Sequence, residues 1–204
     1  MIMKERTEPV KIPKLEAQLR RLPYLHPQYP LIEKELAMCK AGYRGEQALD
    51  YYLEYLPEKN YYIFHDLRLF DIHHYFQIDT LIVTPYFMLI VEVKNIAGKL
   101  RFDEINQMVR SKDGMEEGLP DPFLQLQWLS RKLAHLLQIH NLPPLPINHI
   151  VVISRPSTII ETSEYTPEKL THSSNLPLRS KHSEKPFQKR CTVKNSSRSY
   201  LSYW

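Results

Sequence analysis

The amino-acid pattern predicts an α/β protein: a mixed β-sheet flanked by helices, with a helical extension at the N-terminus. Three observations lead there. From Tyr61 to Leu69 and from Phe76 to Val93 the chain is aromatic, branched and apolar on both alternating faces, as buried strands are. Leu126, Leu129, Leu133, Leu136 and Leu137 return at three- and four-residue steps, the buried stripe of a helix. The order of elements, helices, antiparallel strands, helix and strand, is that of a helix-flanked mixed sheet.

Along the chain, residues 13 to 39 carry helical spacing broken by Pro23, Pro27 and Pro30, which predicts a short helix, a turn, and a second helix from Leu31. After Gly42, the steps Leu49, Tyr52, Leu53 and Leu56 predict another helix, from Arg44 until Pro57 stops it. Thr84, Pro85 and Tyr86 punctuate the second apolar run. A hairpin centred on Pro85 and Tyr86 sets Val83 against Met88, Leu81 against Ile90 and Asp79 against Glu92. Pro-Tyr disfavours a two-residue loop, so a longer loop about that centre is expected. Lys99 to Ser111 reads as an edge hairpin, with polar turns at Asp103 to Asn106 and at Asp113-Gly114. Asp121 is an N-cap with Pro122 at the first helical position, and Ile147 to Ile153 is a last strand.

The 204 residues, 43% hydrophobic and 25% charged, suffice for one globular domain. We divide the chain into a helical extension at 1–41, a core domain at 42–160 and a tail at 161–204. The tail holds nine of the thirteen serines and no glycine, and little in it can be buried, so it is expected to be disordered. Its abrupt change in composition also fits non-native coding, as from a frameshift. Eight of the 27 Lys and Arg and four of the 23 Asp and Glu lie from Glu161 onward, leaving nineteen of each before it. The net charge of +4 is therefore a property of the tail, where Lys181, Lys185, Lys189 and Arg190 could meet phosphates, and it does not by itself indicate nucleic acid.

Residues 1 to 15 are studded with charge and offer no signal-peptide core, which places the chain in the cytoplasm. The longest apolar run, Thr80 to Val91, is too short to cross a bilayer, so no membrane partner is expected. Cys39 and Cys191 make no disulfide framework, and the oligomeric state is left open. His65, His73 and His74 lack ligand geometry and read as loop residues. Trp128 and the tyrosines Tyr51, Tyr52, Tyr55, Tyr61 and Tyr62 could stack bases, but burial is the simpler account.

One constellation carries chemistry. Glu92 and Lys94 stand two apart on one strand and share a face, with Val91 and Val93 on the other. The hairpin register brings Asp79 opposite Glu92, with Cβ atoms about 5 Å apart, where like charges repel. Two carboxylates in an apolar hairpin need a cation. Lys94 supplies part of it, and a divalent ion held by hard oxygens, Mg2+ or Mn2+, would supply the rest. Asp79 and Glu92 would be its ligands, with the backbone carbonyl of Val93 as a third. Such an ion activates water and polarises a phosphodiester, and Lys94 would orient that water or steady phosphate charge.

Asp79 followed by Glu92-Val93-Lys94 resembles the D…(D/E)xK signature of restriction-endonuclease-like folds. The wider set, Gly45-Glu46 at a helix start, Gln77-Ile78-Asp79, Asn95 and Gly98 after Lys94, then Asp121-Pro122-Phe123-Leu124-Gln125, is similar to nuclease-related (NERD) domains over Gly42 to Ser154. The resemblance implies a restriction-endonuclease-like sheet, a Mg2+-dependent nuclease and DNA as partner. It implies catalytic roles for Asp79, Glu92, Lys94, Glu46 and Gln125, and substrate contacts for Gln77 and Asn95. Without it, Glu46 reads as a first-turn helix charge and Gln77 as a strand-end polar group. Two further readings stay open: an inactive nuclease-fold module that binds DNA, and a truncated remnant of a longer protein.

Overall fold

The computed structural model describes residues 1–57, 59–105, 107–161, 163 and 169–182. The elements begin with β1 (Ile2–Lys4), α1 (Lys11–Arg21) and α2 (Tyr29–Leu53). A run of strands follows: β2 (Tyr62–Phe70), β3 (Tyr75–Val83), β4 (Met88–Lys94), β5 (Lys99–Phe102), β6 (Met108–Lys112) and β7 (Met115–Leu119). Then come α3 (Pro122–Ile139), β8 (Ile147–Ile153), β9 (Ile159–Ile160), β10 (Leu170–His172) and α4 (Leu176–His182).

The main sheet has the order β1-β2-β3-β4-β8-β10. Its centre is the antiparallel meander β2-β3-β4, and parallel strands complete both sides, β1 on β2 and β8 with β10 beyond β4. The mixed α/β class is as the sequence predicts. Helix α2 buries Leu49 and Leu53 on one face of the sheet, against Ile63, Ile82, Val91 and Val152. Helix α3 lays its leucine stripe on the other, against Ile78, Leu81, Ile90 and Val151. The central strands thus have apolar neighbours above and below, which is why their sequences are apolar at nearly every position. Asp121 caps α3, its side chain accepting the Phe123 N–H at 2.7 Å.

The hairpin register holds: Val83 pairs with Met88 and Leu81 with Ile90. Four residues close it, 84 to 87, with the Thr84 N–H donating to the Phe87 carbonyl and the Thr84 hydroxyl accepting from the Tyr86 and Phe87 amides.

Several expectations are corrected. The two predicted helices either side of Gly42 are one 25-residue helix, α2, that starts at Tyr29 with Pro30 in its first turn. Gly42 faces open space and costs only backbone entropy, about 1 kcal/mol, which packing of the helix outweighs. The N-terminal extension contributes a strand, β1, as well as helices. Lys99 to Ser111 is no edge of the main sheet; with β7 and β9 it forms a second sheet of order β7-β6-β5-β9, whose Leu100, Phe102 and Met108 join the core under α3. Asn106, in one of its predicted turns, lies outside the described residues. Part of the segment beyond Glu161 is packed: β10 pairs in parallel with β8, and Leu170 and Leu176 are buried. Lys185, Lys189, Arg190 and Cys191 lie outside the described residues. His65 is no loop residue but a buried member of β2, while His73 and His74 do lie between β2 and β3. Burial accounts for Tyr61, yet Tyr51, Tyr55 and Trp128 are more than half exposed. Among the described residues no helix is long and apolar enough to cross a membrane.

Helix α2 reaches the sheet through Gly45. A Cβ there would stand 2.6 Å from the Asn95 Cβ and 2.7 Å from the Ser154 hydroxyl, both fixed at the ends of β4 and β8. Gly45→Ala is therefore expected to lower stability by about 2 kcal/mol, which is about 4–8 °C in melting temperature for a chain of this size. A thermal scan that leaves the midpoint unmoved would show that the contact yields freely.

Candidate active site

Strand β4 delivers Glu92 and Lys94 to the sheet face under α3. Glu92 is only 3% exposed, and both its oxygens are held: Lys94 Nζ donates to Oε1 at 2.6 Å and Gln125 Nε2 to Oε2 at 3.4 Å. Gln125 reaches it because the Asp121-Pro122 start places the first turn of α3 over the end of β4. Burial of an ionised carboxylate is costly unless such donors surround it.

Asp79 stands one step beyond the last bonded pair of the β3–β4 ladder, Thr80 with Val91, at the position the register sets opposite Glu92. The neighbouring ladder is interrupted at the same level, passing from His65–Thr80 to Leu67–Ile78, and Asp66 adopts a positive φ of 49°. The buried side chains register the break. On β3 the same core takes Ile78 and then Leu81, and on β2 Phe64 and then Leu67, so each strand spends one extra residue there, Asp79 and Asp66. On β4 the Lys94 carbonyl accepts from the Ser154 N–H toward β8 at 3.1 Å, so alternation turns the Val93 carbonyl toward β3, where pairing has ended.

Glu46 comes from α2. It bonds the guanidinium of Arg6, whose Nη1 donates to Glu46 Oε2 at 2.8 Å. Glu46 acts electrostatically on Asp79, and Glu92 acts on both. Burial, reinforced by the charges of Glu92 and Glu46, pushes the Asp79 carboxyl up to about 7 despite Lys94 and Arg6. Burial likewise raises Glu46 against the pull of Arg6. His65, buried beside Arg6, is pushed down to about 4 and is neutral at pH 7.

Five of the predicted residues, Asp79, Glu92, Lys94, Gln125 and Glu46, thus converge from β3, β4, α3 and α2. Two do not join them. Gln77 is exposed and pairs with Arg68, and the break at Asp79 removes the two-residue spacing as a reason to put both on one face. Asn95 is engaged elsewhere, its Nδ2 donating to the Ala41 carbonyl at 2.7 Å, and it fastens the end of β4 to α2. Among the described residues no three metal-capable side chains form a ready-made ion cluster.

Sequence reading missed Arg6. Its side chain is 4% exposed and meets Glu46, Asp50 and Asp66 together, with further bonds to His65 and Thr80. These partners lie 40 to 74 residues away along the chain, so no local pattern marks it.

The sequence model of the nuclease-related domain (NERD) family matches residues 41–154. No curated protein and no solved structure matches the chain.

A carboxyl raised from its ordinary value to about 7 favours the folded state while protonated. That contribution is complete below the unfolded value near 4 and is lost as pH climbs through 7. Without added metal, Asp79→Asn should therefore gain stability relative to wild type as pH rises from 5 to 8. The gain should be on the order of 1–2 kcal/mol or about 3–6 °C. A difference from wild type that is the same at both pH values would mean Asp79 ionises at pH 8 without strain.

Proposed function

Because the chain belongs to the nuclease-related domain family, we propose that it is a divalent-metal-dependent nuclease that hydrolyses DNA phosphodiester bonds at the Asp79–Glu92–Lys94 site. The observation that carries the reading is the convergence of Asp79, Glu92 and Glu46, where burial, reinforced by the charges of Glu92 and Glu46, holds Asp79 up to about 7. A structural ion pair would have brought charges of opposite sign into balance. Here carboxylates outnumber the cations that face them, as suits a centre completed by a cation.

The donors fit Mg2+ or Mn2+. They are hard oxygens, and Mg2+ is commonly held by one or two carboxylates with water and substrate phosphate filling the remaining positions, so a preassembled three-ligand cluster is not required. Asp79 and Glu92 would hold the ion, with the Val93 carbonyl turned toward the same gap. When bound, it supplies Lewis acidity toward a phosphate oxygen and lowers the pKa of water.

The protein's own groups do the rest. Gln125 holds Glu92 through Oε2 from the α3 side. Lys94 donates to Glu92 Oε1, and it would swing its ammonium onto a phosphate oxygen or the attacking water once Oε1 has another partner. Glu46 bonds Arg6 through Oε2, and its Oε1 has no protein partner among the described residues, so it can accept a proton of a nearby water.

Cleavage of linear, nicked, branched and single-stranded DNA should appear with Mg2+ or Mn2+ and vanish with chelator. Asp79→Ala, Glu92→Ala and Lys94→Ala should each lower its rate at least about 100-fold. The ion pair already linking Lys94 to Glu92 favours a second reading, a module that binds DNA without turnover. Salt-sensitive DNA binding that persists in Asp79→Ala, with no cleavage of any of these substrates by the folded protein, would establish that reading instead.

A further inference from the structure

We infer that Arg6, on the N-terminal arm outside the family-matching segment, is a positioning residue that fixes Glu46 for work at the Asp79–Glu92 site. The inference rests on the proposed metal-dependent nuclease reading.

Glu46 and Asp50 lie four apart on α2, and so on one face of it. That face meets the sheet at Asp66, His65 and Thr80. Left alone, the three carboxylates would repel α2 from the strands. Arg6 enters between them and spends its whole fork there. Nε and Nη2 form a two-pronged contact with Asp50 at 3.0 Å each, Nη1 holds Glu46 at 2.8 Å, and Nη2 also reaches His65 Nδ1 at 2.9 Å and the Thr80 hydroxyl at 3.1 Å. Asp66 lies 3.7 Å from Nη1. A lysine could present the charge but not this planar geometry.

The arm is anchored on both sides of Arg6. The N-terminal ammonium donates to the Tyr61 carbonyl at 2.7 Å, and Lys4 Nζ donates to the carbonyls of His65 and Asp66. The Thr7 amide donates to Asp66 Oδ2. Arg6 is therefore delivered by backbone pairing of β1 with β2, and its position does not depend on Glu46. The dependence runs the other way. Glu46 bonds Arg6 through Oε2 alone, which holds the carboxylate in place and leaves Oε1 for a water of the metal site.

The test is Mn2+ binding by calorimetry on the full chain, for wild type, Glu92→Ala, Glu46→Gln, Arg6→Met and the double variant Arg6→Met/Glu46→Gln. Glu46→Gln and Arg6→Met should each weaken binding several-fold, and the double variant should be no weaker than Glu46→Gln alone, because Arg6 acts through Glu46. Arg6→Lys, run through the same cycle, should fall between wild type and Arg6→Met, and it replaces Arg6→Met if that chain lacks a cooperative melt. A purely structural arginine would lower the melting temperature and leave Mn2+ affinity unmoved. Unchanged affinity in Arg6→Met overturns the inference. So does tighter binding, as removal of a repelling charge alone would give, or losses that multiply in the double variant.

If wild type binds no Mn2+ even with a DNA oligomer present to complete the shell, the nuclease reading fails by itself. A crystal structure of the Arg6 variant then decides the clamp: Glu46 displaced from Asp79 upholds it, and Glu46 in its original place overturns it. If wild type binds and only Glu92→Ala loses the ion, the site stands and the role of Arg6 falls.

Discussion

Glu46, Asp79 and Glu92 come from α2, β3 and β4, and two of them raise the cost of ionising the third. Asp50 and Asp66 stand close behind. A fold that brings five carboxylates to the end of an apolar sheet must hold them against their own repulsion, and much of the surrounding architecture answers that requirement. Lys94 and Gln125 hold Glu92 from the α3 side. Arg6 holds Glu46, Asp50 and Asp66 from the α2 side. What stays least compensated is Asp79, where the two strand ladders are broken and its carboxyl is pushed up to about 7 despite Lys94 and Arg6.

Local geometry explains why the crowding falls here. Beyond Thr80 and Val91 the bonded pairing of β3 and β4 ends, and at the same level β2 and β3 each spend one residue out of alternation. An extra residue in both strands turns Asp66 and Asp79 away from the two apolar cores that claim their neighbours. The close approach of α2 at Gly45 then brings Glu46, the very next residue, up to the same place, and Asn95 ties the end of β4 to that helix. Backbone irregularity, a glycine contact and a single amide bond thus decide which carboxylates meet. Under the proposed function the same arrangement would give the site its chemistry, since a centre short of positive charge would attract a cation and the phosphates that come with it.

Much of this was legible in the residues themselves. Buried strands announce their apolar faces, the leucine stripe of α3 follows a period of 3.6, and the Asp121-Pro122 cap is local. The hairpin about Pro85 and Tyr86 can be registered by counting outward, and that count alone sets Asp79 across from Glu92. These features depend on neighbours in sequence, so sequence order suffices to read them. The joining of two predicted helices into α2 was not legible, because Gly42 is a weak breaker whose cost of about 1 kcal/mol is outweighed by packing against the sheet. Nor was the strand at Leu170–His172, three residues in a polar stretch that become a strand only because β8 offers an open edge.

By itself the sequence determined the class of fold, the central hairpin and the register that sets Asp79 across from Glu92, all of which follow from periodicity and short-range counting. Only the tertiary structure decided that Glu46 and Gln125 reach that group, that Gln77 and Asn95 do not join it, and that Arg6 does the neutralising. The reason is physical. A buried guanidinium is stabilised by whichever carboxylates surround it in space, and those partners lie on elements far apart in the chain, so no spacing of residues records the contact before the helix and the sheet have packed.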